Sequence, residues 1–520
     1  MEFKQNQCKK KLWLFKLFLL VILTVCIIMA AAACADKSNP SNPSGNPQDT
    51  QQNNVTNENG GEQNTQEETT AVIDERQSVL DMYQNPNEDF NGYEFKMMLR
   101  EEEYYNSKDM YAEEENGEPV NDAVYKRRME VENMLNINFK PIWVPYGSQS
   151  SSIKKSVLAA DGAYDAIVTS YEYSYQAAKS GYLVDLAGVK GIDLTKPWWD
   201  QNIMQETSLM HKIYYVTGDI SVVDNDGTWL MMFNKDLQKK FGLPDIYEIV
   251  KNGDWTLDKL VELSKGVTLD INGDGKIDKD DQVGLATTSD SIRSFFFSTG
   301  SRILQKDADD IPYFAFESEH AVTNLEKIYQ IFRGADNTVM LADDVGGWTV
   351  TQQAFLENRA LFYAEVMFHL SSLRNMDTDF GVIPLPKANK EQTGYYTNIH
   401  RYASAAVSIP LGASDEDNKK VGTILEAMAY EGYKYLTPAY YDISLKTKYA
   451  RDDASSEMLD LILAGRSADL GYIGNLGGFL ESLVNDVVKR KDTFASTIET
   501  NLPKLNTDLE KIIAAYKDLP

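Results

Sequence analysis

From residue 92 onward, hydrophobic and polar positions alternate in the two periods typical of strands and helices. Short apolar runs predict buried strands at residues 93–99, 139–144, 164–169, 229–234, 360–364, 379–383 and 402–409. Apolar residues spaced by three or four predict helices at residues 121–136, 153–160, 256–266, 321–334, 479–487 and 509–516, and one that ends before Gly181. Strands that alternate with helices favour an α/β fold with parallel or mixed sheets.

The N-terminus has the layout of a secretion signal. Several lysines precede an uncharged apolar run at residues 17–29, and four alanines lead to Cys34. The apolar run is shorter than the roughly 20 residues of a membrane span. Residues 31–34 (AAAC) resemble a bacterial lipobox, although Ala31 stands where Leu is usual. We therefore predict a signal peptide at residues 1–33 and a lipid on Cys34 that holds the protein at the outer face of the cell membrane.

The composition changes after the lipobox. Residues 34–88 are rich in Asn, Gln, Pro, Ser and Thr and contain few apolar residues, which predicts a disordered linker behind the lipid anchor. The chain has three cysteines, two of them within the signal, so the mature protein would have no disulfide framework and no thiolate metal site. Its net charge of −27 argues against binding to nucleic acid or to anionic lipid.

Six segments in a fixed order resemble a known family. They are YDAIVTSYEYSYQAAKSGYLVDL, PWWDQNIMQETSLMHKIYYVTGDIS, TWLMMFNKDLQKKFGL, GDWTLDKLVELSK, QQAFLENRALFYAEV and FGVIPLPK. Their order over residues 92–519, behind a lipoprotein leader, resembles the family 1 extracellular solute-binding proteins of bacterial carbohydrate ABC transporters, the group that includes maltose-binding protein.

The resemblance implies a two-lobed periplasmic-binding-protein fold of type II, with mixed sheets flanked by helices. Lobe 1 would comprise residues 89–220 and 390–450, and lobe 2 residues 221–389 and 451–520. The chain would cross between the lobes near residues 217–226, 386–396 and 446–456. A monomeric receptor of this kind would bind a carbohydrate, in particular an oligosaccharide, between its lobes and deliver it to the permease subunits of an ABC importer.

One loop in lobe 2 matches a calcium-binding pattern. Residues 270–281 read DINGDGKIDKDD, with oxygen-bearing residues at the first, third and fifth positions and Gly275 at the sharp turn. Asp281 stands at the twelfth position, where Glu is usual. We predict a structural Ca²⁺ whose ligands are Asp270, Asn272, Asp274, the backbone carbonyl of Lys276, Asp278 and Asp281. The alternative is a solvated acidic turn.

Catalytic motifs are missing from the sequence. It contains no H-E-x-x-H pair, no G-x-S-x-G elbow and no G-x-x-x-x-G-K-[ST] phosphate loop, so we predict that the protein is not an enzyme. Two alternatives stay open: a lipoprotein glycoside hydrolase that uses a pair of the many acidic residues, and a receptor for a peptide or another polar solute that feeds a sensor kinase.

Ligand-binding candidates follow from position in the family pattern and from the chemistry of sugar sites. Aromatic faces pack on sugar rings, and carboxylates and amides bond to hydroxyls. We predict a site formed at strand ends and crossings by Arg100, Glu101, Tyr171, Glu172, Trp199, Asp219, Trp348, Glu365, His400, Tyr472 and Asn475.

Overall fold

The structure is a computed structural model that describes residues 76–102, 105–316, 319–334, 337–373, 376–449 and 452–519. The predicted signal peptide, Cys34 and most of the predicted linker lie outside the described residues. No helix in the described ranges combines the length and the apolar character that a membrane crossing needs.

In the described ranges, thirteen strands form two main sheets and two small ones. The strands are β1 (Tyr93–Glu101), β2 (Ile137–Pro145), β3 (Ala166–Thr169), β4 (Trp229–Asn234), β5 (Val283–Thr287), β6 (Leu304–Lys306), β7 (Pro312–Phe314), β8 (Val339–Leu341), β9 (Ala360–Val366), β10 (Phe380–Ile383), β11 (Thr397–Asn398), β12 (Ala406–Ser408) and β13 (Arg466–Ser467). Of the predicted strand at residues 402–409 only β12 forms; the others are confirmed with shifts of a few residues at their ends.

The first main sheet has the order β12-β3-β1-β2, and the second has the order β10-β4-β9-β5-β8. In the first, β1 pairs in parallel with β2 and β3, while β12 is antiparallel to β3. In the second, β5 pairs in parallel with β8 and β9, while β4 is antiparallel to β9 and β10. Both sheets are mixed, as predicted, and each forms the centre of one lobe.

Helices cover the sheets. The α-helices are α1 (Pro119–Leu135), α2 (Tyr146–Ala159), α3 (Tyr171–Lys179), α4 (Gln201–Thr207), α5 (Val223–Asp226), α6 (Lys235–Lys240), α7 (Ile246–Lys251), α8 (Leu257–Val267), α9 (Asp290–Ser298), α10 (Glu319–Arg333), α11 (Ala342–Val345), α12 (Trp348–Leu356), α13 (Asp415–Glu431), α14 (Asp453–Ala464), α15 (Leu470–Ile473), α16 (Phe479–Val488) and α17 (Phe494–Asp518). Segments Leu186–Gly188, Met367–Leu373 and Leu476–Gly478 are 3₁₀-helical, and Gly432–Leu436 and Ala439–Tyr449 are π-helical.

Local signals explain several helix ends. Thr256 caps α8 by accepting a hydrogen bond from the Lys259 N–H, as the sequence predicts. Ser170 caps α3 in the same way through the Tyr173 N–H. Gly181, two residues after α3, has a φ of 70°, a left-handed conformation that glycine adopts at little cost.

The folded part of the chain begins earlier than the sequence predicts. The Tyr83 ring stacks on that of Tyr430, with 4.0 Å between the centroids, and meets Trp198 edge-on. The Arg76 guanidinium donates to the Tyr433 carbonyl at 2.7 Å. The last residues of the predicted linker, from 76 to 88, therefore pack on the first lobe, because Tyr83 offers an aromatic face within an otherwise polar segment.

Three passages join the lobes. The first two lie between β3 and β4 and between β10 and β12, and the third lies between α13, in the core of the first lobe, and α14, which packs against β10. Within the third, Leu436 and Tyr440 share a core with Val124 of α1 and with Met232 of β4, so the π-helical segments contact both lobes. The crossings near residues 217–226, 386–396 and 446–456 stay predictions.

The first passage carries acidic side chains out of bulk water. Desolvation raises the pKa of Asp219 to about 7, that of Asp224 to about 6 and that of Asp226 to about 7. Asp219 accepts a hydrogen bond from Thr437, and Asp226 accepts one from the Tyr440 hydroxyl at 2.7 Å. The folded state therefore favours the protonated forms of Asp219 and Asp226.

This arrangement predicts that the protein loses stability as the pH rises. A carboxyl whose pKa is higher in the folded state stabilises fully below its unfolded pKa, and that stabilisation is lost as the pH rises through the folded value. Between pH 6.5 and pH 8, each of the two groups with a pKa of about 7 should reduce the free energy of unfolding by about 1 kcal/mol. Urea unfolding at both pH values measures the loss, and Asp226→Asn should remove its share. A free energy of unfolding that stays level or increases over this range would contradict the assignment.

Candidate ligand-binding cleft

The two main sheets direct the carboxyl ends of β1 and β9 toward each other. Tyr105 follows β1 in the first lobe, and Phe368 follows β9 in the second. Their rings are in contact, with 5.0 Å between the centroids. Side chains at these two strand ends therefore line one cleft between the lobes, which is where open α/β sheets hold ligands.

Arg100 is fixed at the first-lobe side of the cleft. It ends the buried part of β1, and its own side chain is only 4 % exposed. The guanidinium pairs with Glu102 and donates to the Tyr402 carbonyl. It also lies 4.0 Å from the ring centroid of Tyr146, a cation–π distance. The predicted cleft residue Arg100 is thus held by an acid, a carbonyl and a ring.

Three tyrosines form an aromatic wall around Arg100. Tyr146 and Tyr173 stack with 4.6 Å between centroids and an interplanar angle of 20°. Tyr402, which is 38 % exposed, meets Tyr146 edge-on at 6.5 Å. Exposed aromatic faces beside charged groups provide the contacts that a sugar ring needs.

A network of two arginines and several acids continues along the cleft. Arg401 donates to Glu481 and to the Tyr472 carbonyl, both at 3.0 Å. Arg293 pairs with Asp290 and with the same Glu481. Each guanidinium is therefore already committed to at least one carboxylate.

Glu172 lies beside this network with spare hydrogen-bonding capacity. Its Oε2 is buried and has no hydrogen-bond partner within the described residues. Burial raises the pKa of Glu172, and the nearby Arg401 opposes the rise. This predicted residue is placed in the cleft with an acceptor that a ligand could use.

His400 is a neutral donor in the cleft. Its Nδ1 accepts from the backbone N–H groups of Tyr402 and Ala403, both at 3.3 Å, so the proton is assigned to Nε2. That nitrogen lies 3.9 Å from Asp290. Burial lowers the pKa of His400 to about 4, because Asp290 only partly compensates the loss of water.

The second-lobe side of the cleft combines a buried acid with aromatic rings. Glu365, near the end of β9, is 6 % exposed, and burial raises its pKa to about 8. Beyond the strand, Phe368 and Trp348 both lie edge-on to His369, with centroids 5.6 Å and 5.4 Å away. Trp348 remains 43 % exposed, so its face is free for a ligand. The predicted residues Glu365 and Trp348 thus lie at the same cleft.

Two predicted residues are instead part of the lobe cores, and a third lies in the first passage. Trp199 is buried, and its indole N–H donates to Glu426 at 3.0 Å. Tyr171 is buried edge-on to Tyr215. Asp219 bonds to Thr437 in the first passage. The structure does not bring these side chains to the cleft, because each is satisfied or covered within its own lobe or passage.

The remaining predicted residues differ in how far they are exposed. Tyr472 is buried beneath Arg401, whose guanidinium lies 5.3 Å from its ring centroid. Glu101 and Asn475 are exposed. Asn475 has a φ of 47°, so it serves a left-handed turn before the Leu476–Gly478 segment.

Several cleft residues were not predicted from the sequence. They are Tyr105, Tyr146, Tyr173, Asp290, Arg293, Phe368, His369, Arg401, Tyr402 and Glu481. Most of them follow strands or begin helices, which is the position that singled out Arg100 and Glu365. The clusters Tyr171-Glu-Tyr173 and Arg401-Tyr402 were a usable signal, since tyrosine and arginine next to a strand are frequent in binding sites.

The candidate calcium loop has the expected backbone. Leu269 and Gln282 pair across its ends, and Gly273 and Gly275 have left-handed φ values of 77° and 83°. The Asp270 carboxylate accepts from both glycine N–H groups, at 2.6 and 2.8 Å. Asp281 is buried and accepts from the N–H groups of residues 271 and 278.

The side-chain oxygens of this loop fit a hard cation in kind, because carboxylates and an amide are the ligands that Ca²⁺ prefers. Ile277 packs against a core of the second lobe, as the pattern predicts. Over the described ranges, no three Asp, Glu, His or Cys side chains converge closely enough to hold a metal. The calcium assignment therefore stays a prediction.

Comparison with known proteins places the fold. No family model matches the chain, and no match was found among curated protein sequences. Solved structures do match. A cyclic α-maltosyl-1,6-maltose binding protein from Arthrobacter globiformis has a TM-score of 0.56 at 13 % identity, with 81 % of this chain and 99 % of that one covered.

Two further structures give the same result. A family 1 extracellular solute-binding protein from Bifidobacterium longum subsp. infantis has a TM-score of 0.55 at 15 % identity, covering 80 % of this chain and 100 % of that one. An ABC substrate-binding protein from Listeria monocytogenes, in complex with cycloalternan, has a TM-score of 0.51 at 13 % identity, covering 81 % and 99 %. With its mixed sheets and interlobe cleft, the chain has the two-lobed fold of the extracellular solute-binding proteins.

Proposed function

We propose that the protein is a receptor that binds a saccharide, in particular an oligosaccharide, in the cleft and releases it unchanged to the permease subunits of an ABC importer. One observation carries the proposal. Where the two sheets meet, the tyrosines around Arg100 lie in the same cleft as Glu172 and Glu365, two carboxyls without an ion-pair partner in the described residues. Structural neighbours support it, since the Listeria protein is in complex with cycloalternan and a related cyclo/maltodextrin-binding protein is in complex with maltotetraose.

The cleft can convert binding into closure because each lobe supplies part of the site. Tyr146 and Arg100 belong to the first lobe, whereas Trp348 and Glu365 belong to the second. A ligand that touches both sets gains its full contact energy only when the lobes come together, so it favours the closed state. A permease that distinguishes closed from open receptors would then accept loaded protein.

The first test of this function is calorimetry with maltotetraose and a panel of neutral oligosaccharides. Trp348→Ala and Tyr146→Ala should each weaken binding by about 1–2 kcal/mol, because each removes a stacking face. Tyr313→Ala is the matched control, since Tyr313 is an exposed aromatic on β7 outside the cleft. Recovered saccharide should be intact. Failure of every saccharide to bind would refute the proposal, and a shortened product would indicate a hydrolase.

We also propose that residues 270–281 bind a structural Ca²⁺. A cation bound only by the folded state raises stability by about 2.7 kcal/mol when its free concentration is a hundredfold above Kd. The melting temperature should therefore rise with Ca²⁺ and fall with chelator, and Asp270→Ala with Asp274→Ala should abolish the difference. Asp236→Ala with Glu262→Ala makes the same charge change at exposed positions outside the loop and should retain it. A wild-type melting temperature that does not respond to chelator would exclude the site.

The location we propose is the outer face of the cell membrane, through a lipid on Cys34 after removal of residues 1–33. Cys34→Ser should release the protein into the medium and abolish incorporation of a labelled fatty acid. Cys26→Ser is the control, since this cysteine lies inside the apolar part of the signal and would be removed with it. A Cys34→Ser protein that stays lipid-labelled in the membrane fraction would contradict the anchor.

A further inference from the structure

The cleft has more carboxyls than cations to pair with them. Arg100 is committed to Glu102, and both Arg293 and Arg401 are committed to Glu481. No ion pair joins Glu172 or Glu365 to a cation in the described part of the chain. Among the described residues, the one hydrogen bond to the Glu365 carboxyl comes from the N–H of the next residue, Val366, at 3.0 Å.

The charged group that acts on Glu365 is another acid. Asp290, at the start of α9, is the charged group that acts on it, and it raises the Glu365 pKa further. Tyr363 lies two residues earlier on β9, on the same face, and its hydroxyl is buried without a partner among the described residues. Tyr105 approaches from the first lobe, and desolvation followed by the charges of Glu365 and Asp226 raises its pKa.

The histidines on this side do not supply the missing positive charge. Burial lowers the pKa of both His369 and His400 to about 4, so both are neutral near pH 7. Arg100 lies 5.9 Å from the Tyr105 ring centroid, but its guanidinium already faces Glu102. The buried carboxyl of Glu365 is thus left without a counter-charge in the protein.

Aromatic rings lie at the same strand end as this acid. Tyr105 and Phe368 touch across the cleft, and Trp348 lies on the far side of His369 with its face exposed. The electron-rich faces of Trp, Tyr and Phe attract cations, most strongly where water is excluded. An acid without a counter-charge, close to such rings, can bond to a hydroxyl, but with an ammonium group it forms an ion pair as well, and the rings attract the cation.

We propose that the saccharide carries a protonated amine, and that Glu365 with the rings of Tyr105, Phe368 and Trp348 forms the subsite for its ammonium group. This inference deepens the proposed function and rests on it. The ligand class becomes that of amino sugars with a free amine. Arg100 and Tyr146 on the first-lobe side are left to contact the neutral part of the saccharide.

An ammonium group that binds beside Glu365 should release the proton of this carboxyl. With a pKa of about 8, Glu365 is largely protonated in the empty cleft near pH 7. A bound ammonium lowers that pKa, so the carboxyl gives up its proton on binding and the affinity rises with pH up to the ionisation of the ligand amine. A neutral saccharide causes no such release.

The test is calorimetry on the full chain with matched tetrasaccharides. One set contains β-1,4-linked glucosamine, N-acetylglucosamine and glucose, and the other contains α-1,4-linked galactosamine, its N-acetylated form and maltotetraose. In at least one set we expect the free amine to bind about tenfold more tightly than its acetylated and hydroxyl counterparts. Titrations in two buffers of different ionisation enthalpy give the number of protons released.

Glu365→Gln separates charge from shape. Glutamine has the size of the protonated acid, so the variant should keep the wild-type melting temperature at pH 6. It should lose about tenfold in affinity for the amine, change little toward the neutral tetramers, and lose the proton release. Glu391→Gln, at an exposed position, should behave as wild type.

The outcomes distinguish the two proposals. If neutral tetramers bind as tightly as the amines, or Glu365→Gln leaves the preference for the amine intact, the ammonium subsite is overturned while the saccharide receptor stands. If no tetrasaccharide of either set binds, both proposals fail.

Discussion

A single, mostly buried guanidinium joins three parts of the chain that are distant in sequence. Arg466, at the start of β13, lies 2.6 Å from the Asp200 carboxylate and 3.1 Å from that of Asp224, and it also donates to Asn225. Asp200 caps α4 in the first lobe, and Asp224 lies in the first passage. Because removal of one partner from a buried ion pair leaves an uncompensated charge, these three parts of the chain keep a fixed relation.

Because Arg466 fixes the first passage, the ends of β1 and β9 can act as two halves of one site. With the passages fixed, β1 and β9 present Arg100 and Glu365 from opposite lobes, and motion of the lobes changes the distance between them. The distribution of charge in the cleft also differs between its two sides. Each arginine of the cleft is paired with a carboxylate, whereas Glu365, on the second-lobe side near aromatic rings, has no ion-pair partner in the described residues. In a chain with a net charge of −27, a cationic ligand group is favoured both at long range and at contact.

Much of the fold was open to prediction because its elements carry strong local signals. The apolar run that forms β4 and the capped periodic helix α8 are examples, and the order of segments implied the two lobes. The position of the third crossing is less open to prediction, because the π-helical segments after α13 have no clear period and Leu436 and Tyr440 pack against both lobes. Periodicity cannot show such tertiary contacts.

The site was predicted in part, for a similar reason. Position near a strand end singled out Arg100 and Glu365, and the structure places both at the strand ends that line the candidate cleft. Trp199 was misplaced because its partner, Glu426, lies far away in sequence on α13, and no local pattern shows that pairing. Tyr105 and Phe368 were missed because each looks like an ordinary loop aromatic until the two lobes are placed face to face.

Closure of the lobes around a bound saccharide is the central claim, and small-angle X-ray scattering tests it most directly. The radius of gyration of the full chain should decrease when the tightest-binding saccharide is added, and Trp348→Ala should require more saccharide for the same decrease. A saccharide that saturates the protein by calorimetry but leaves the radius of gyration unchanged would contradict the account.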